Sequence, residues 1–438
     1  MVLILNRRLK FTRLVAITMG TPLASSVFLS ITIMVLMVGS LIDLILSVVI
    51  STAVVILVSL AYGELVSIYP SAAGNRIFLK KPMGNTLALS LSVMWVVIIL
   101  GAAGVEAYMA GNVLSYVIGS LPPFFWSVLI LSVVVLINIL GVEISGNFQM
   151  LITFFVIISL ILVSVYSIFF VRTSSPVGLG SLNWLSVFSA SAVSIYFFIG
   201  FGRVTTLGEE AVDYKKGIPR AMPIGIGFIG LTFILASVAI FERVPLSVLG
   251  TTVIPQIVLG NYILAGTRLP ILIGIISIVM SFSAFNAGIL GTSRLVYALG
   301  REGVFPKFLG SIHRRFLTPY ASLLFLYVVV LAITALIFFT RNYSAIVLIA
   351  AAFDSFMYAF VSYSALWHKR KLKKQDIPFD VRGGTVIFII TTIIFSLLGL
   401  LLLYTSSKWV AVVVIVGTLV FSLVYYFLYR SGRLKMQK

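Results

Sequence analysis

The chain has 438 residues, 61% of them hydrophobic and 10% charged, with a mean hydropathy of +1.18, which excludes a soluble globular domain. A formal charge of +19 would suit a polyanion binder, but the basic residues alternate between loops instead of clustering, so nucleic acid is excluded as a partner. There are no cysteines, which removes disulfides, thiolate metal sites and cysteine nucleophiles together.

Apolar runs of the ~20 residues needed to cross a ~30 Å hydrocarbon core recur from end to end. The opening "MVLILNRRLKFTRLVAITMG" places basic residues before an apolar run too long for a signal peptide, with no small-residue cleavage site, so it reads as a retained first span. Spans are predicted at 14–37, 41–66, 85–118, 123–140, 148–171, 184–208, 220–241, 269–298, 319–340, 344–367, 385–405 and 409–430. These make a twelve-span, all-α membrane protein with both termini on one side. That side receives nearly all the Lys and Arg. The opposite loops hold only Arg172, Arg243, Arg268, Arg341 and Lys408, so both termini are expected in the cytoplasm of a multi-pass cell-membrane protein. The segment "REGVFPKFLGSIHRRFLTP" at 301–319 alternates bulky apolar and basic residues, as in a short helix lying on the membrane face or a plain basic loop.

Two spans carry the composition of a break. The first contains "GTPLASS", Gly20 to Ser26, and the sixth contains "FFIGFG", Phe197 to Gly202. Irregular backbone at membrane depth is tolerated only where it is buried in protein or lines a cavity. Lying five spans apart, the two segments cross in opposite directions, the arrangement of an inverted repeat whose broken helices hold substrate near the midplane. Gly and Pro also serve ordinary close packing in membrane helices, the competing explanation for either break alone.

Four motifs in order carry a resemblance. "YGELVSIYPSAAGNR" from Tyr62, "NILGVEISGNFQ" from Asn138, "FIGFGRVTTLGEEAVDYKKGIPRAMP" from Phe198 and "NAGILGTSRLVYALGREGVFPKFLGSIHRRFLTPYAS" from Asn286 resemble amino acid permeases of the amino acid, polyamine and organocation superfamily. The resemblance implies the LeuT-type fold: inverted five-helix repeats at 12–171 and 184–367, then two peripheral helices at 385–430. It also implies secondary active transport by alternating access, of amino acids, neutral ones favoured, or related amines, with no cofactor. The substrate carboxylate is then expected at the N–H groups and side chains of Ala24, Ser25 and Ser26. The ammonium is expected at carbonyls near Phe198 and Ile199, where the helix opens at Gly200. Tyr196 stands where the family often has an aromatic covering the substrate, or it simply packs.

Gly202 stands where many members have an acid, which disfavours cationic amino acids. Arg203 beside it favours an anionic or neutral substrate if it enters the cavity; snorkelling towards the cytoplasm is the preferred expectation. Glu106 and Asp354 lie within spans, where acids default to function; each is a proton site or a structural partner. Glu64 and Arg294 resemble gate residues, and the "GEE" beyond Gly200 belongs with the gate, although Glu209 and Glu210 are near enough to the loop to be merely solvated. Some family members carry a lysine in the fifth helix as a sodium surrogate; here Val156 lies near that position. A sodium site would draw on carbonyls near Gly20 and Leu23 with hydroxyls of Ser281 and Ser283, unless those hydroxyls bond their own backbone. The rival functions are a transport-fold nutrient sensor and an intramembrane enzyme in which Glu106 meets Asp354.

Overall fold

The computed structural model describes residues 7–171, 179–249, 255–265, 267, 269–341 and 344–405, with the isolated positions 412, 416 and 420. The expected last span, 409–430, therefore lies almost wholly outside the described residues. Fourteen α-helices occur among those described: α1 (Phe11–Gly20), α2 (Val27–Met37), α3 (Leu41–Ile68), α4 (Asn75–Met83), α5 (Asn85–Ile118), α6 (Pro123–Leu140), α7 (Val142–Phe170), α8 (Trp184–Ser194), α9 (Gly217–Arg243), α10 (Pro255–Ile263), α11 (Ile271–Arg301), α12 (Tyr320–Thr340), α13 (Ser344–Lys371) and α14 (Gly384–Thr405). Among the described residues ten helical segments are long and apolar enough to cross a membrane, and the pair α1 and α2 makes a broken crossing before them.

Burial separates the centre from the rim. Of their most apolar stretches, α5 and α13 bury 72% and α11 67%, whereas α12 buries 28% and α14 22%. The rim helices present Leu162, Phe169, Phe339 and Leu397 outward, as lipid contact requires. Inner helices approach closely through glycine. A methyl at Gly104 would come within 2.5 Å of the Ile333 side chain, and one at Gly111 within 2.4 Å of the Pro123 carbonyl oxygen. These contacts clamp α5 against α12 and α6.

Both expected breaks are present. After α1, Pro22 has no N–H to continue the ladder, and regular bonding resumes with three short-range bonds, Val27 N–H to Ala24 O, Phe28 N–H to Ser25 O and Leu29 N–H to Ser26 O. The sixth span leaves α8 for 3-10 turns over Ile195–Phe198 and Phe201–Leu207, separated at Gly200, whose φ of 95° belongs to the left-handed region. A methyl at Gly200 would lie 2.4 Å from the Thr21 side chain, so the two breaks touch.

Two short helices depart from expectation: α4 and α10 each have nine residues and fall in stretches read as connections. The 301–319 segment forms only one 3-10 turn, Lys307–Gly310, in otherwise irregular chain. At the face carrying most of the basic residues, the N-terminal strap runs beside the loop after the second break. There Arg8 and Leu9 N–H both donate to Glu210 O at 3.0 Å, and Val212 N–H donates to Leu9 O at 3.0 Å.

Candidate functional site

The breaks, α5, α11 and α12 line a cavity with about 80 Å³ of room for the centre of a water molecule. Its wall includes Thr21, Ala24 and Ser26 from the first break, Glu106, and Tyr196, Ile199 and Arg203 from the second. A second apolar cavity shares Ser26, Tyr196 and Ile199 with it. Those three residues form the partition, and Tyr196 stands in it.

Helix α2 begins inside the protein, where its first N–H groups cannot reach water. Glu106 meets them. Its Oε1 accepts from Ser25 N–H at 2.8 Å, Ser25 Oγ at 2.7 Å and Ser281 Oγ at 2.7 Å, and its Oε2 accepts from Ser26 N–H at 3.3 Å. A carboxylate there also complements the positive end of the helix dipole. The seat expected for a substrate carboxylate is thus taken by one of the protein's own, and Ser281 serves Glu106. Gln256 completes the collar by donating to Ser25 O at 3.0 Å.

The place expected for sodium is also occupied by protein. Ser283 Oγ donates to Gly20 O at 3.2 Å and accepts from Gln149 Nε2 at 2.8 Å; Gln149 Nε2 also reaches Thr153 Oγ1 at 2.7 Å. A methyl at Gly20 would fall 2.2 Å from that amide nitrogen. Asn286, Asn138 and Ser145 extend the network, with Asn286 Nδ2 donating to Gln149 Oε1 at 2.9 Å. A sodium ion beside Gly20 would face amide protons, so these residues do not fit one. Val156 is fully buried in the apolar core.

Arg203 does not snorkel. It is 7% exposed and lines the central cavity, and glycines on α11 make its room: methyls at Gly288 and Gly291 would lie 3.0 Å from its Nη1 and its Cβ. Gly202 packs in the same way on Tyr62, whose ring a methyl would approach to 3.0 Å. Tyr358 Oη accepts from Gly200 N–H at 3.2 Å. No donor outside the local 3-10 turns reaches the Phe198 or Ile199 carbonyls among the described residues. Phe198 is itself wholly buried, so Ile199 is the one of the two that borders the cavity. Asp354 accepts from Trp95 Nε1 at 2.8 Å. Among the described residues it shares no hydrogen-bond partner with Glu106.

At the basic face, ion pairs close the bundle. Arg294 Nε and Nη2 donate to Glu210 Oε2 and Oε1 at 2.8 and 3.0 Å, both side chains being buried. Glu209 accepts from Arg301 at 3.2 Å and from Ala72 N–H at 2.9 Å. The expectation that Glu209 and Glu210 are merely solvated is therefore corrected: each is held by an arginine of α11. Arg76 pairs with Glu302. Glu64 Oε2 accepts from Lys369 Nζ at 3.0 Å and Val381 N–H at 3.1 Å, tying α3 to the loop before α14.

Comparison with known proteins adds an independent line. The family model described as amino acid permease matches residues 9–431. A low-affinity putrescine importer of Escherichia coli is 24% identical over 286 residues, covering 62% of this chain and 62% of the importer, less than two thirds of its length. An uncharacterised transporter of Mycobacterium tuberculosis is 26% identical, covering 76% and 74%. The human cystine/glutamate transporter is 26% identical over 213 residues, covering 45% and 40%. Among solved structures, MhsT in complex with L-phenylalanine superposes with a TM-score of 0.67 at 16% identity, covering 92% of this chain and 100% of that one. The Eremococcus coleocola manganese transporter gives 0.64 at 12%, covering 95% and 92%. The fold is the LeuT type.

Proposed function

The chain belongs to the amino acid permease family, and from that premise we propose that it is a secondary transporter carrying amino acids, neutral ones favoured, or related small amines across the cell membrane by alternating access. One observation carries this reading: two helix breaks touch at Thr21 and Gly200 beside a cavity bordered by both a carboxylate, Glu106, and a guanidinium, Arg203. A cavity with both signs of charge suits a zwitterion, whereas an apolar packing defect would have neither. Ile199 O is the acceptor assigned to a substrate ammonium.

The repeats run over 12–171 and 184–367, with α14 peripheral and the rest of the expected pair at 385–430 outside the described residues, and the basic face is cytoplasmic, as the loop charges favour. The Arg294–Glu210 and Arg301–Glu209 pairs then form the cytoplasmic gate, with Glu64 and Lys369 bracing its flank. Glu106 positions α2. Gln149, Thr153 and Ser283 tie α7 and α11 to the end of α1 by hydrogen bonds, and the amide protons beside Gly20 disfavour a sodium ion at that place.

The test is uptake of radiolabelled amino acids and amines into proteoliposomes, with sodium and proton gradients imposed separately and exchange partners preloaded. Saturable uptake of at least one such solute is expected. No flux of any of them from folded protein would refute the transport reading.

A further inference from the structure

Three polar groups around the central cavity lack partners. Arg203 Nε, Thr21 Oγ1 and Thr292 Oγ1 are each buried and make no hydrogen bond among the described residues. Arg203 also forms no ion pair among the described residues. Asp354 is held by Trp95 Nε1 and makes no ion pair with Arg203. The three converge. Thr21 and the guanidinium carbon of Arg203 both lie against Gly200, at 2.4 and 3.2 Å from where its methyl would be, and Arg203 Nη1 lies against Gly288, one helical turn before Thr292. All three residues line the same space.

A buried cation without a counter-charge is costly, and a buried donor left unpaired adds to that cost. Meanwhile the N–H groups at the start of α2 already hold Glu106. From these two facts we propose that Arg203, with the Thr21 and Thr292 hydroxyls, is the seat for a substrate carboxylate. The substrate class is then one bearing a carboxylate, an α-amino acid of neutral or acidic side chain, and excludes simple amines and diamines. A planar guanidinium accepts a carboxylate through paired N–H groups, and the two hydroxyls supply donors to its remaining lone pairs. This deepens the transport reading and rests on it for the word substrate, but it makes a separate claim about binding.

The experiment measures thermal shift and equilibrium binding on the purified full chain, with matched probes: leucine, its decarboxylated amine isopentylamine, its deaminated acid isocaproate, glutamate and putrescine. Leucine or glutamate is expected to bind at least 100-fold more tightly than either amine, with isocaproate competing. Arg203→Gln is expected to lose that preference, and Arg203→Lys to keep part of it. Unliganded Arg203→Gln is also expected to melt above the parent, because it removes an uncompensated charge. If that variant does not fold, Thr292→Val and the parent's own ranking of the matched probes decide. Equal affinity for leucine and its amine, preference for putrescine, or unchanged carboxylate binding in folded Arg203→Gln would each overturn the proposal. Carboxylate binding without flux would refute transport and leave the seat standing; flux of amines alone would do the reverse.

Discussion

Replacing Arg294 by Met tests the gate most directly. Arg294 and Glu210 are 0% and 1% exposed and share two bonds of 2.8 and 3.0 Å. Removing one partner of a buried pair leaves an uncompensated charge, a loss of about 3–5 kcal/mol. If the pair exists only while the basic face is closed, that loss falls on the closed state alone. A bias of about 3 kcal/mol moves a two-state equilibrium by roughly 100-fold. Because the chain has no cysteine, Ala103→Cys in the cavity wall gives one labelling site without background. A membrane-impermeant maleimide applied at the basic face should label it slowly in the parent and on the order of 100-fold faster in Arg294→Met, by the same bias. Adding Glu210→Leu should restore protection, since an apolar pair of similar volume avoids the stranded carboxylate. Lowered melting temperature with unchanged labelling would refute the argument: the pair would then hold the fold in every state.

Glu106→Ala strands the Ser25 and Ser26 N–H groups and the Ser25 and Ser281 hydroxyls, so unfolding free energy should fall by about 3 kcal/mol or more; Glu106→Gln, which keeps an acceptor, should lose less. A calorimetric or fluorescence melt in detergent decides. Gly111→Ala drives a methyl into the Pro123 carbonyl and should cost about 1–3 kcal/mol, whereas Gly39→Ala, with nothing within 4 Å of its added methyl, should melt with the parent. Transport by the parent should be unchanged when sodium is replaced by choline; a strict sodium requirement would contradict the role given to Gln149.

The two helix interruptions were legible because Pro22 and Gly200 announce themselves in otherwise apolar runs. What the sequence hid was the identity of partners. Glu106 could be seen as an acid inside a span, but its acceptor role depends on serines some 80 residues earlier and 175 residues later. Arg203 looked free to snorkel because the room it occupies is made by Gly288 and Gly291, on another helix. Glu210 looked solvated because a charged loop beside a span gives no sign that an arginine 84 positions away has been buried to meet it. Helices α4 and α10 escaped because nine residues cannot cross a bilayer, and Pro82 in α4 argues against a helix locally.

The strap from Arg8 to Leu9 across Glu210 and Val212 has a further consequence. Its three bonds are made by main-chain atoms, so the hydrogen bonds themselves do not depend on which side chains stand there. Substitutions at the exposed Arg8 and Val212 can retune charge while the seam persists, and only proline, which carries no N–H, deletes a stitch. The same chain loop that supplies Glu210 to Arg294 is thereby sewn to the start of the polypeptide. A tug on Leu9 is a tug on the loop that carries the Arg294–Glu210 pair.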